Sequence, residues 1–433
     1  MMMYEADSHS VGVGFFGTMV ADTHGVKIAT MRINTGKGTI ALWSLVAIWS
    51  VSAVTSLPGL AISPILGELN TIFPKASDLE IQMLTSLPSL LIVPFVLLAG
   101  RLSAGRNTLP LLYAGLAIFF LSGVACLLAR SMTWLIVISC VLGIGAGMVV
   151  PLSTGLVVNY FTGNARVRQL GYSSAINNLT LVAATALTGY VADVNWHLSF
   201  LVYLLPGVSL LLAWQLRNNP PAPEPKESDQ FRQSTINYRR LAVLTVFYFL
   251  ITYAVLVVTF DLSFLVEQYK IRDTFSGVAI SVFFLAIMLP GFFLRHVMRA
   301  LRSYTNVVAM ALVAIGLGCV GVARHPALLV VGVILVGLGY GVMQPLIYDK
   351  AAIVAPPHLA TQALSVVMTA NYLAIILCPF MLDGVRRLFH AHSAPFPFLF
   401  NAVIAAIGVV VLFGARNDMV LGLDDSYYAE EEK

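Results

Sequence analysis

The sequence predicts an all-α membrane protein, with twelve transmembrane helices in two pseudo-symmetric six-helix bundles. Three observations predict it. The chain is 58% hydrophobic and 11% charged, with mean hydropathy +0.85, whereas soluble domains carry about 25% charged residues. It contains twelve apolar runs, each near the ~20 residues that cross a bilayer. Its two halves share a residue pattern at a fixed offset.

The first 39 residues are polar and lack the apolar core of a signal peptide. They read as a disordered cytoplasmic tail, with residues 1–30 a disordered extension ahead of the basic segment that starts at Met31. The expected spans are 40–66, 81–103, 108–129, 132–155, 170–192, 197–216, 241–265, 274–296, 304–323, 327–349, 360–382 and 396–415. Six of them form an N-terminal bundle over 40–216 and six a C-terminal bundle over 241–416. Between the bundles, residues 217–240 are rich in proline and charge and read as an extended cytoplasmic linker. The tail 417–433 is acidic and reads as disordered.

Lysine and arginine set the orientation. With both termini and the linker in the cytoplasm, 18 of the 25 basic residues fall on that side. The excess lies in the linker and in the loops holding Arg101 and Arg106, Arg166 and Arg168, and Arg295, Arg299 and Arg302. The compact loops suggest an integral bacterial inner-membrane protein. The four cysteines, at 126, 140, 319 and 378, lie in apolar runs without metal-ligand spacing, so they read as small buried hydrophobes.

The repeat is carried by glycines. At an offset of 194 residues, Gly143, Gly145, Gly147, Pro151 and Leu152 fall on Gly337, Gly339, Gly341, Pro345 and Leu346. Without a gap, Leu170, Asn177 and Leu179 then fall on Leu364, Asn371 and Leu373. Glycines so placed thin a helix and let neighbours approach. Each proline removes a backbone hydrogen bond and permits a kink, which makes Pro151 and Pro345 gating candidates. A GxGxG inside an apolar helix is no dinucleotide site, and TGKGT at Thr35–Thr39 lacks the upstream glycine of a phosphate loop.

Six plus six spans, the long linker, the fourth-span GxGxG and the loop Gly100-Arg101-Leu102-Ser103-Ala104-Gly105-Arg106 together resemble the major facilitator superfamily, over residues 40 to 416. The resemblance implies two bundles rocking about a midplane site. It also implies a gating role for Gly100, Arg101 and Arg106, because the family's basic loop holds the halves together in one state. Three departures stand out. The loop lacks its usual aspartate, Ser139 stands where an arginine commonly precedes the glycines, and Asn177-Asn178 replaces the glycine-proline pair of many drug antiporters.

Within the spans, Asn177 and Asn371 stand about ten residues into equivalent helices. An unpaired amide there is costly, so either it lines a cavity or it makes an interhelical bond. Asn177, Asn178, Asn371, Tyr372, Gln344, Tyr340 and Trp49 are the substrate-binding candidates, and Tyr248 and Tyr253 could also line a cavity. Asp261 is an acid within a span, about 30 Å from the inner end of its helix; it is either the ion-coupling candidate or a solvated helix end at the outer boundary. Asp349-Lys350 and Asp193 read as interface charges or gate bonds. No catalytic, cofactor or metal constellation is present.

The expected function is secondary transport by alternating access. The first reading is efflux of an amphiphilic compound by proton antiport, and the alternative is uptake of a small organic solute by symport or uniport. Membrane lipid, a small-molecule substrate and protons are the expected partners of a monomer, and nucleic acid is not one.

Overall fold

The computed structural model describes residues 32–36, 38–62, 65, 69, 72–73, 78–104, 108–192, 195–218, 235–268, 274–391, 393–418 and 420–423. Arg106 and Asp193 lie outside the described residues. A short antiparallel hairpin comes first, β1 (Arg32–Asn34) against β2 (Thr39–Ala41). Among the described residues, twelve helices of 12 or more residues follow, with a one-turn helix at Leu57–Leu60 besides. The N-terminal six are α1 (Leu42–Ala53), α2 (Asp78–Ser103), α3 (Leu109–Leu128), α4 (Met132–Tyr160), α5 (Gly163–Ala192) and α6 (Leu205–Asn218). The C-terminal six are α7 (Tyr238–Gln268), α8 (Thr274–Leu301), α9 (Thr305–Val322), α10 (Pro326–Ile353), α11 (Ala360–Leu388) and α12 (Phe396–Gly414). Among the described residues, nine apolar helical stretches are long enough to cross a membrane, and one, Gly277–Val322, holds both α8 and α9. The helices outside that set are α1, which is only 12 residues long, and α5, which carries many polar side chains.

Three spans differ from the sequence expectation for local reasons. The first span is broken after Ala53 and resumes as a turn, Leu57–Leu60. Pro58 has no N–H for the Val54 carbonyl, and the Ser56 N–H turns to Asn177 Oδ1, leaving the Ser52 carbonyl to Thr55 Oγ1. The fifth span starts seven residues early, because its polar first turns lie at the bundle's end, where Arg166 finds Asp349 and Gln169 finds Trp49. The sixth span opens as a 3-10 segment, Trp196–Leu204, capped by the Asn195 side chain and ending just before Pro206.

The residues expected as unstructured tails are structured in part. Ile33 and Ile40 bury into the N-terminal bundle, and the Thr35 carbonyl accepts from the Thr162 N–H between α4 and α5. Towards the other terminus, residues 415–418 and 420–423 fold back: Val420 and Leu423 are buried, and Asn306 Nδ2 donates to the Leu421 carbonyl. Both segments sit at the end of the bundle where α6 runs out and α7 begins, called here the linker end.

The repeat is visible in packing. In α4, Gly143 and Gly147 meet the α2 backbone at Pro88 and Ile92, while Gly145 meets α3 at Phe119 and Gly115. In α10, Gly337 and Gly341 meet α8 at Phe283 and Ile287, while Gly339 meets α9 at Ala309. Residues four apart share a helix face and the residue between them points away, so the i, i+2, i+4 spacing seats two neighbours on opposite sides. One buried apolar cluster comes from residues 33–216 with Met368, and a second from residues 236–423 with Val158 and Val167.

Candidate functional site

Half-way along the helices, a polar cluster lies where the two bundles meet. It is built on periodicity: Tyr340, Gln344 and Tyr348 recur every four residues on α10, and Tyr248 and Thr252 do so on α7, so each set forms one stripe. The Tyr248 hydroxyl lies 2.9 Å from that of Tyr348, 3.4 Å from that of Tyr340 and 3.4 Å from Asn371 Oδ1. Gln344 Nε2 donates to Tyr248 at 3.2 Å, and the Tyr340 hydroxyl lies 3.4 Å from Asn371 Oδ1 and 3.3 Å from Thr252 Oγ1. The cluster crosses to the other bundle through Ser174 on α5, whose hydroxyl donates to Gln344 Oε1 at 3.1 Å. Tyr348 packs against both apolar clusters, and Tyr372 packs against the N-terminal one.

The N-terminal bundle faces this cluster with aromatic surface. Trp49 Nε1 donates to Gln169 Oε1 at 3.0 Å, and its ring meets Tyr172 edge-on at 6.0 Å. Tyr172 in turn lies 6.1 Å from Phe292 of α8. The candidates Trp49, Tyr340, Gln344, Asn371 and Tyr372 therefore fall in or around the bundle interface.

Asn177 and Asn178 are engaged differently. Asn177 Oδ1 accepts from Thr55 Oγ1 at 3.0 Å and from the Ser56 N–H at 3.1 Å, and its Nδ2 donates to Ser56 Oγ at 2.6 Å. All three bonds lock the break after α1 against α5. Asn178 is 8% exposed and its Nδ2 donates to Ser174 within its own helix. The repeat symmetry still holds, because each repeat-related asparagine ties its helix to the first helix of its own half.

Charge is kept to the two ends. Away from the linker end, Asp261 is 3% exposed and its Oδ1 accepts from Arg386 Nη2 of α11 at 2.8 Å, while Oδ2 is buried without a partner. At the linker end, Arg166 Nε donates to Asp349 Oδ1 at 2.5 Å, joining α5 to α10 across the bundles. Beside it, Lys350 is 2% exposed, and its Nζ donates to the Val420 carbonyl at 3.0 Å and to the Gly422 carbonyl.

Of the gating candidates, Gly100 touches the other bundle. A Cβ there would overlap the Ser365 side chain of α11. Arg101 is exposed at the end of α2. Pro151 and Pro345 are buried inside helices that run on past them. Sequence reasoning missed Tyr348, Thr252, Ser174, Arg386 and the Arg166–Asp349 partnership. The four-residue spacing from Gln344 could have found Tyr348; pairs between distant helices leave no such signal.

Residues 41–379 match the sequence model of the Major Facilitator Superfamily. Over 154 residues the chain is 29% identical to the multidrug transporter protein MdtP of Bacillus subtilis, covering 35% of this chain and 27% of that one. Over 94 residues it is 31% identical to the niacin transporter NiaP of Acinetobacter baylyi, covering 22% and 21%. The chain thus spans about a quarter of the length of these curated relatives. Among solved structures, the proton:xylose symporter XylE has a TM-score of 0.70 at 13% identity, covering 90% of this chain and 98% of that one. The human organic anion transporter MFSD10 has a TM-score of 0.65 at 18% identity, covering 86% and 97%. These structures share the fold.

Proposed function

The chain belongs to the Major Facilitator Superfamily and is a membrane transporter of small solutes rather than an enzyme; on that premise we propose that it moves its substrate by alternating access about the polar cluster between the bundles. The single observation that carries this is the Ser174–Gln344 hydrogen bond. It brings both bundles to one uncharged site at half height, where rocking would expose the site to either side in turn. We assign Tyr248, Tyr340, Gln344, Tyr348, Asn371, Tyr372 and Trp49 to substrate, and Asn177 and Asn178 to positioning.

Efflux of an amphiphilic compound is the first reading, and the name of the multidrug relative supports it. Uptake is the second reading, supported by the name of the niacin relative. Accumulation of a labelled compound in cells overexpressing the protein decides between them: efflux lowers it and uptake raises it, in both cases lost in Gln344→Leu. Equal accumulation with wild type and Gln344→Leu sinks the site assignment.

For coupling we propose protons at Asp261. A carboxylate inside a membrane is by default a functional candidate, and this one has a buried, unpartnered oxygen beside Arg386. Asp261→Asn is expected to leave downhill exchange intact while abolishing transport driven by a pH gradient. Gradient-driven transport that survives the change excludes Asp261. Basic-residue placement supports the linker end as cytoplasmic, and we propose a monomer in a bacterial inner membrane. In that setting Arg166–Asp349, with Gly100 seated on Ser365, forms the inner gate.

A further inference from the structure

The polar cluster has a direction, and the direction limits what it can hold. A tyrosine hydroxyl donates one hydrogen bond and accepts two; an amide separates its donor from its acceptor. Ser174 donates to Gln344 Oε1, which turns Gln344 Nε2 toward the tyrosines. Either hydroxyl of the Tyr248–Tyr348 pair can donate at 2.9 Å; with the Tyr248 proton directed to Asn371 Oδ1, Tyr348 is the donor, and the Tyr248 oxygen receives it together with Gln344 Nε2 at 3.2 Å. Tyr340 cannot donate to the filled Tyr248 oxygen, so its proton also goes to Asn371 Oδ1, and Thr252 donates to Tyr340. The chain of donors from α5, α7 and α10 thus ends on one carbonyl oxygen of α11.

Two phenols hold the Asn371 amide in one orientation. Its Nδ2 points the other way, and among the described residues nothing is bonded to it. The surroundings are aromatic: Tyr372 follows Asn371 on α11, and Tyr248, Tyr340 and Tyr348 gather at its carbonyl oxygen and at one another's hydroxyls. Every side chain named here is uncharged. A charged ligand there would meet no counter-ion among these side chains.

We propose that the site selects an uncharged, planar aromatic molecule that presents a carbonyl or ring-nitrogen acceptor to Asn371 Nδ2. This rests on the reading of the cluster as the substrate site. The fixed amide makes the selection, since a freely turning asparagine would accept from a donor ligand equally well. The site disfavours donor-only analogues because Asn371 Oδ1 already accepts from two phenols, and ionised analogues because none of these side chains carries a charge to pair with them.

The test is direct binding to the purified full-length protein, read by thermal shift and tryptophan quenching. The probes are coumarin (neutral, with a carbonyl), coumarin-3-carboxylate (anionic) and tryptamine (cationic donor). Wild type is expected to bind coumarin and to bind the two ions at least tenfold more weakly. Asn371→Asp keeps the shape and the acceptor but replaces the amine with a second acceptor. It should bind coumarin about tenfold more weakly, the effect of one hydrogen bond in a dry site, and bind tryptamine more tightly than wild type does. That exchange of preference cannot arise from misfolding. Coumarin binding that is absent in wild type, or unchanged in Asn371→Asp, overturns the proposal. If wild type prefers an ion and both Asn371→Asp and Gln344→Leu alter that preference, the site stands and the ligand class falls. If neither change affects any of the three probes, the site assignment falls with it.

Discussion

Asn177 and Asn371 are the same residue type at repeat-related positions, yet they are held by different partners. The three bonds of Asn177 all go to Thr55 and Ser56 at the break after α1. Interhelical bonds in a membrane average about 0.6 kcal/mol each, so Asn177→Ala should cost about 2 kcal/mol. Differential scanning fluorimetry in detergent should show a lowered Tm for it. Asn371 accepts two bonds at 3.4 Å, so Asn371→Ala should lower Tm less and change ligand binding more. A larger Tm loss at 371 than at 177 would reverse the two roles. From sequence, both residues were a choice between cavity lining and interhelical bonding. Only the placement of Thr55, Ser56, Tyr248 and Tyr340 separates them.

Helix α4 and helix α10 are the elements whose design was most legible. Their glycines repeat at two-residue spacing, and the structure seats them against α2 and α3 and against α8 and α9. A Cβ at Gly341 would lie 2.3 Å from the Ile287 carbonyl oxygen, and one at Gly147 would lie 2.9 Å from that of Ile92. Backbone cannot yield as a flexible side chain does, so Gly341→Val should abolish folded protein and Gly147→Val should reduce it severely. Gly318→Ala on α9 meets nothing within 4 Å and should express normally. Size-exclusion profiles of fluorescent fusions will report all three. The hairpin and the carboxy-terminal strap were less legible. Polar composition reads as disorder unless the docking site is known: Thr162 for one, Asn306 and Lys350 for the other.

Across the whole molecule, charge marks the ends and neutrality the middle. The Arg166–Asp349 pair joins the bundles where Gly100 and Gly155 also meet α11, at Ser365 and Thr361. The hairpin docks on the loop that leads into Arg166, and the strap bonds to Lys350 beside Asp349. Each arm of the pair is thus braced by a terminal segment. Arg166→Asp should leave the buried Asp349 carboxylate facing a like charge and open the linker end. A cysteine introduced at Ser365 should then label faster with a membrane-impermeant maleimide applied from that side. The exchange Arg166→Asp with Asp349→Arg should restore slow labelling. If labelling is unchanged in the single variant, the pair does not hold that end closed.

The sequence by itself determined the solvent, the helical architecture, its division into two related halves and the excess of positive charge at one end. Each of these is a property of consecutive or periodic residues: apolar runs long enough for a bilayer, glycines at fixed spacing, and lysine and arginine between runs. The tertiary structure alone decided the partners. Asp261 reads as a lone acid until α11 brings Arg386 to it. Asn177 reads as cavity lining until α1 breaks beside it, and Tyr348 is one aromatic among many until α5, α7 and α11 close around it. Hydropathy encodes which face of a helix avoids water, but most of these helices are apolar on every face. The direction in which each rare polar group points is therefore fixed by how the helices pack.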